Sequence, residues 1–213
     1  MATSSPVEVC NIALKRLGAD AIVAFDEGSS AASLCEQLYQ PTVDALLREH
    51  TWNFAQIRVA LAARVEGPAW GYPFAYTYPT KPLCLRVNAV EPPDAQYDIE
   101  NTVDDTGEIL GKIIASDTDS LKIRYTGRIT DVTQWDASFT NAVAMSLAKQ
   151  MAYPLVENAG LAKVVGEEYI RALQHARSVD SQEGSTKQAD INTLVDVRTH
   201  GFRDDFNRNW RVI

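Results

Sequence analysis

A chain of 213 residues with twenty basic and twenty-eight acidic side chains has a formal charge of -8 and a pI near 4.9. That length fits one domain, or one domain with an inserted lobe, and buries a core without staples, while the acidic balance disfavours the phosphate-neutralising surface of a nucleic-acid reader. No run of eighteen apolar residues is present, and MATSSPVEVC lacks the charged and apolar regions of a signal peptide, so no membrane contact and synthesis in a cytoplasm are expected.

Ser5-Pro6-Val7-Glu8 reads as a capping box with proline at the first helical position. The helix it starts carries Cys10, Ile12, Ala13, Leu14 and Leu17 on its apolar side and stops at Gly18. After the loop ADAIVAFDEGSS, the positions Ala31, Leu34, Cys35, Leu38, Tyr39, Val43, Leu46 and Leu47 follow the three-and-four spacing of one buried helix face. Pro41 lies inside that run and predicts a kink or a split, because it removes one ladder bond and crowds the preceding turn. Trp52 and Phe54 follow directly and are expected to plug the helices against whatever comes next.

From about residue 55 to 130 the composition turns to Pro, Gly and aromatics, with short alternating runs at 83–90, 97–100, 109–114 and 121–125. These predict a small antiparallel β lobe, with prolines 68, 73, 79, 82, 92 and 93 at edges and turns. A third helix is expected along Trp135, Phe139, Ala142, Val143, Ser146, Leu147 and Met151, capped from Asp131 or Thr133 and ended by Pro154. Leu161, Val165, Tyr169, Ala172, Leu173 and Ala176 make a fourth, fading into SVDSQEGSTKQ. The predicted fold is α+β: an antiparallel bundle of four helices in two pairs (1–54 and 131–182), an inserted β lobe (55–130) and an extended C-terminal arm (183–213). The arm alternates isolated apolar anchors with charges, as expected of a segment that orders against something else or drapes over its own domain.

Chemistry is scarce. His50, His175 and His200 lie too far apart in sequence for a metal set, and His50 suits the negative end of the second helix. The three cysteines, Cys10, Cys35 and Cys84, suggest neither disulfide framework nor zinc site and are expected to be reduced and partly buried. No nucleophile elbow, Walker A loop or dinucleotide fingerprint occurs, so catalytic residues, cofactors and metals are all expected to be none. Asp98, Glu100, Asp104, Asp105 and Glu108 lack the ligand order of a calcium loop and read as a solvated turn or, alternatively, a carboxylate pair. Tyr72, Phe74, Tyr76 and Tyr78 alternate strictly, which suits a core, a subunit interface or a sugar-stacking strip. Arg58 and Arg64 flank an apolar run and suit either a subunit boundary or solvated strand edges.

The order of these parts resembles one family. Trp52-Asn53-Phe54-Ala55 after a helix pair, the YPTKPLCLRV strand (Tyr78 to Val87), the Ile123-Arg124-Tyr125 strand, RITDVTQWD (Arg128 to Asp136) and then an alanine-rich helix pair are together similar to the tail tubular protein A type of head-to-tail adaptor in short-tailed bacteriophages. The resemblance spans nearly the whole chain up to about residue 180 and is weakest in the arm. It implies a virion protein at the head-tail junction that forms a homo-oligomeric, dodecameric ring between the portal protein and the tail nozzle, with duplex DNA passing through without sequence-specific binding. In that setting the arm would grip the portal through Leu194, Val195, Phe202, Phe206 and Trp210 with Arg198 and Arg203. Tyr72, Tyr76, Arg58 and Arg64, together with the small-residue back of the third helix, would face neighbouring subunits. An acidic channel wall would repel the phosphate backbone and help the genome slide. Two other readings stand beside it: a head-completion protein of a long-tailed phage, docking a tail tube, and a tail-associated glycan hydrolase.

Overall fold

A computed structural model describes residues 5–104 and 106–183. The chain is a mixed α+β fold of four helices and two small antiparallel sheets. Helix α1 (Pro6–Leu17) starts on the expected box: Ser5 Oγ accepts from the Glu8 amide at 3.2 Å, and the Glu8 carboxylate accepts from the Ser5 amide at 3.3 Å. It ends at Gly18, whose φ of 72° is left-handed and lets its N–H reach back to the last turn. Helix α2 (Ser30–Glu49) is capped by Ser29 and runs unbroken past Pro41, so the expected split does not occur. One missing ladder bond is outweighed by the burial of Cys35, Tyr39, Val43, Leu46 and Leu47 on either side of it.

A 3-10 turn at Asn53–Ala55 leads into the β part, which comprises β1 (Gln56–Ala60), β2 (Phe74–Thr77), β3 (Cys84–Glu91), β4 (Tyr97–Val103), β5 (Ile109–Ser116) and β6 (Lys122–Gly127). The strands form two three-stranded sheets, in the orders β1-β6-β3 and β2-β5-β4. The chain steps from one sheet to the other within two residues: the Leu61 amide bonds Leu121 O at 2.9 Å, and Ala62 O accepts from the Thr77 amide at 3.3 Å. Inner-facing Tyr76 and Ile114 of one sheet share a core with Cys84, Ile123 and Tyr125 of the other. The four runs of alternation correspond to β3, β4, β5 and β6, whereas β1 is short and follows the helix so closely that its period is hidden.

Helix α3 (Ala137–Val156) is capped by Asp136, which accepts from the amides of Ser138 and Phe139 at 2.7 and 3.3 Å. The expected cap Asp131 instead serves a preceding 3-10 turn at Val132–Gln134, together with Thr133. Pro154 lies inside the last turn, and the helix ends two residues later at Val156, with Glu157 as its left-handed cap. Far from showing one stripe, α3 is buried on nearly every side, including Ala142, Ala144, Ser146 and Ala148, because α1 and α2 both pack against it. Its small residues admit that close approach from within the chain, which corrects the expectation of a small-residue back facing a neighbouring subunit. Helix α4 (Ala159–Gln182) contributes Val165, Leu173, Ala176 and Asp180 to the buried set. The helical core holds residues of all four helices plus Leu85 of β3. Cys10, Cys35 and Cys84 are buried free thiols, and burial pushes the Cys84 thiol up, away from the reactive thiolate. Among the described residues no helix is long and apolar enough to cross a membrane.

Candidate interaction surface

The Trp-Asn-Phe-Ala junction is held by more than ring packing. Trp52 is 1% exposed and meets Phe139 of α3 edge-on at 4.8 Å, while Phe54 lies 5.0 Å from the same ring. The expected plug is therefore present. The Trp52 indole Nε1 donates to Leu46 O at 2.8 Å, and Arg86 Nη1 of β3 donates to Arg48 O at 3.2 Å. These two side chains satisfy carbonyls of the last turn of α2, the task expected of His50. His50 turns elsewhere: its Nε2 donates to Asp180 Oδ2 of α4 at 3.0 Å. Asp180 Oδ1 also accepts from the Asn53 amide at 2.8 Å, and Asp180 O from Asn53 Nδ2 at 2.6 Å. Helix α4 ends at Gln182, the boundary expected for the bundle, and Asp180 in its last turn ties it to the start of the β part.

A second tie joins the Arg-Ile-Thr-Asp segment to α2. Arg128 grips Asp44 through both carboxylate oxygens, its Nε lying 2.9 Å from Oδ1, and Gln40 Nε2 donates to the same oxygen at 2.9 Å. Next to it Asp131 accepts from the hydroxyl and amide of Thr133 at 2.6 and 2.9 Å. These bonds, the hydroxyl first, hold its carboxyl below the usual carboxylate range. A carboxyl lowered by folding contributes stability that is full above its unfolded pKa of about 3.9 and is lost as pH falls through the lower folded value. An NMR titration should place the Asp131 midpoint below that of a free aspartate, and Thr133→Ala should move it back up.

The expected interface residues separate. Tyr76 is 1% exposed, with its hydroxyl donating to Thr118 O at 2.7 Å, so its ring belongs to the chain's own core and offers no face to another copy. Tyr72 remains partly exposed and sits beside Asp98: partial desolvation first, then that carboxylate, raise its hydroxyl above the usual range. The tyrosine strip and the acidic patch, distinct in sequence, therefore meet at this one pair. Arg58 is exposed on β1 directly opposite Arg124 of β6, and Arg64 lies in the segment beside β2, its amide bonded to Ala75 O at 2.8 Å. Among the described residues neither Arg58 nor Arg64 has an acidic partner. Leu194, Val195, Arg198, Phe202, Arg203, Phe206 and Trp210 lie outside the described residues.

Asp104 behaves as a turn residue, its Oδ1 accepting from the amides of Thr106 and Glu108 at 2.9 and 2.8 Å. Among the described residues no group of three or more His, Cys, Asp or Glu is placed to hold a metal ion. An open cleft of about 400 Å³ lies between the β3–β4 and β5–β6 connections, lined by Phe74, Asp94, Asp117 and Asp119 among others. Its carboxylates are not those singled out by sequence, and Asp117 already accepts from the Gln96 amide at 3.0 Å. Sequence reasoning missed the most conspicuous surface property: Val65, Trp70, Val103, Ile109 and Leu110, all in the β part, are each more than half exposed. Apolar side chains exposed singly are ordinary, whereas clustered ones, such as Val103, Ile109 and Leu110 at one hairpin end, mark contact with another molecule. Runs of apolar residues at the end of a strand and in a loop gave the only signal, and it reads equally as core. No family model matches the chain, and no curated protein matches it significantly.

Proposed function

We propose that the chain is a structural virion protein, an adaptor that forms a ring between the portal and the tail nozzle and lines part of the DNA ejection channel at the head-tail junction. The observation that carries this reading is the exposed apolar set of the β part, Val65, Trp70, Val103, Ile109 and Leu110, projecting from a body whose helices are tied together by Trp52, Asp180 and Arg128. A rigid body with unpartnered apolar projections suits a component that acts by fitting between others. The order of parts, from the helix pair through Trp52-Asn53-Phe54-Ala55 to the Arg128–Asp136 segment, supports the same assignment. The net charge of -8 suits a wall that duplex DNA slides past.

Electron microscopy of the full chain mixed with its portal tests the proposal, with rings seated on portals as the expected result. A chain ended after residue 183 should keep its far-UV spectrum and no longer join portals, since the grip is assigned to the arm. Portal capture by the shortened chain would overturn the arm assignment, and a full chain that never meets portals would overturn the adaptor. The glycan-hydrolase reading draws on Tyr72 beside Asp98. It predicts reducing-sugar release that Asp98→Asn abolishes, a result that would displace the adaptor.

A further inference from the structure

On the outer face of the first sheet Arg58 of β1 stands directly opposite Arg124 of β6, and Lys122 follows two residues along the same face. Like charges placed opposite each other across a strand pair repel. None of the three has a carboxylate partner among the described residues, and Arg124 Nε is buried with no hydrogen-bond partner. In a chain with eight more acids than bases, the facing pair Arg58 and Arg124 stands without a carboxylate partner among the described residues. Ala60 of β1 stands opposite Lys122 and Ala89 of β3 opposite Arg124, so the face is shallow around the arginine pair, while Glu91 of β3 stands across from Lys122 at its edge.

The other sheet supplies the opposite character. The β4–β5 hairpin, residues 97–116, contains five carboxylates and a single cation, Lys112. Glu100 and Glu108 are exposed there, and the same hairpin end presents Val103, Ile109 and Leu110 at 54%, 67% and 62% exposure. A net-acidic hairpin end complements a face centred on two facing arginines.

We propose that the outer face of the first sheet, centred on Arg58 and Arg124, receives the acidic β4–β5 hairpin of a second copy of this chain. The contact is heterologous, one surface meeting a different one, and so repeats from copy to copy and closes into a ring when the rotation allows. The inference rests on the ring reading for its geometry. It names the two surfaces that make the ring and places the repelling arginines at the contact. Duplex DNA is the other polyanion a cationic face attracts, but three cations on an acidic protein neutralise few phosphates, and the hairpin already provides carboxylates with apolar anchors.

Sedimentation velocity on the full-length chain, at about 50 mM and about 500 mM salt, tests this. The wild-type chain is expected to self-associate at low salt and less so at high salt. R58E/R124E and E100K/E108K, each checked for folding by circular dichroism, should each lower the association constant at least about tenfold. Mixed in equal amounts they should associate again, because each reversed surface then meets its complement in the other variant. K122E carries the first arm should R58E/R124E fail to fold. A wild-type chain that stays monomeric, reversals without effect, or a mixture that stays dissociated each overturns the proposal. So does a loss of short-duplex binding in R58E/R124E with self-association intact, which would assign the face to DNA. Wild-type rings on portals that ignore the reversals would remove this interface and leave the adaptor standing. Reversal-sensitive association without portal capture would do the opposite.

Discussion

Replacing Trp52 by alanine lowers the unfolding free energy by about 3–5 kcal/mol, enough to bring a domain of ordinary stability close to its threshold. The indole is 1% exposed and touches Phe139 edge-on, so its removal opens a cavity where α2, α3 and the β part meet. The loss also uncovers Leu46 O, which receives the indole N–H at 2.8 Å at the end of α2. Trp52→Phe separates the two effects: it keeps most of the ring and gives up the hydrogen bond, for about 1–2 kcal/mol. Urea denaturation is the measurement, with midpoints moving in that order at an unchanged slope. A Trp52→Ala variant with a wild-type midpoint would mean that the junction is not where the core closes.

The second large effect is at Asp180. Alanine there leaves His50 Nε2 and the Asn53 amide without their acceptor in a place where the carboxylate is 6% exposed. Both donors are partly open to water, so the loss is that of hydrogen bonds to a charged group, about 1.5–3 kcal/mol of stability. Asp180→Asn should lose much less, because its amide oxygen still accepts from the Asn53 N–H and its amide nitrogen finds an acceptor on the other tautomer of His50. Hydrogen exchange gives the local readout: in Asp180→Ala the Asn53 amide and the last turn of α4 should lose protection ahead of α1 and α3. Uniform loss across all helices would indicate that Asp180 supports the whole bundle and not this one tie.

Sequence reached the helices because their signals are local. The Ser5 box, the Gly18 stop and the spacing along α2 each need only neighbours three or four residues apart. Strands β3 to β6 were legible from alternation, whereas the division into two sheets depends on pairings such as Arg58 with Arg124, sixty-odd residues apart, that no period encodes. The all-round burial of α3 was hidden for a different reason: alanine and serine fit a solvated face as readily as a tight helix contact. The helix end at 182 was legible, but the tie at Asp180 was not, because no local period brings His50 and Asn53 beside it. Of the surface, Arg58 and the acidic hairpin were legible as charges, but not the fact that Arg58 has no acidic partner among the described residues. Tyr76 shows the limit of alternation as a guide to interfaces, since one period describes a face turned inward and a face turned outward alike.

The tie at Asp180 has a mechanical consequence. A helix that simply ended at Gln182 would respond to a pull on its C-terminus by peeling away turn by turn, each turn yielding before the next feels the load. Here the traction reaches three side-by-side hydrogen bonds within the final turn and passes through them to His50 and Asn53. A load applied at Gln182 is thus delivered to the seam between helices and sheets.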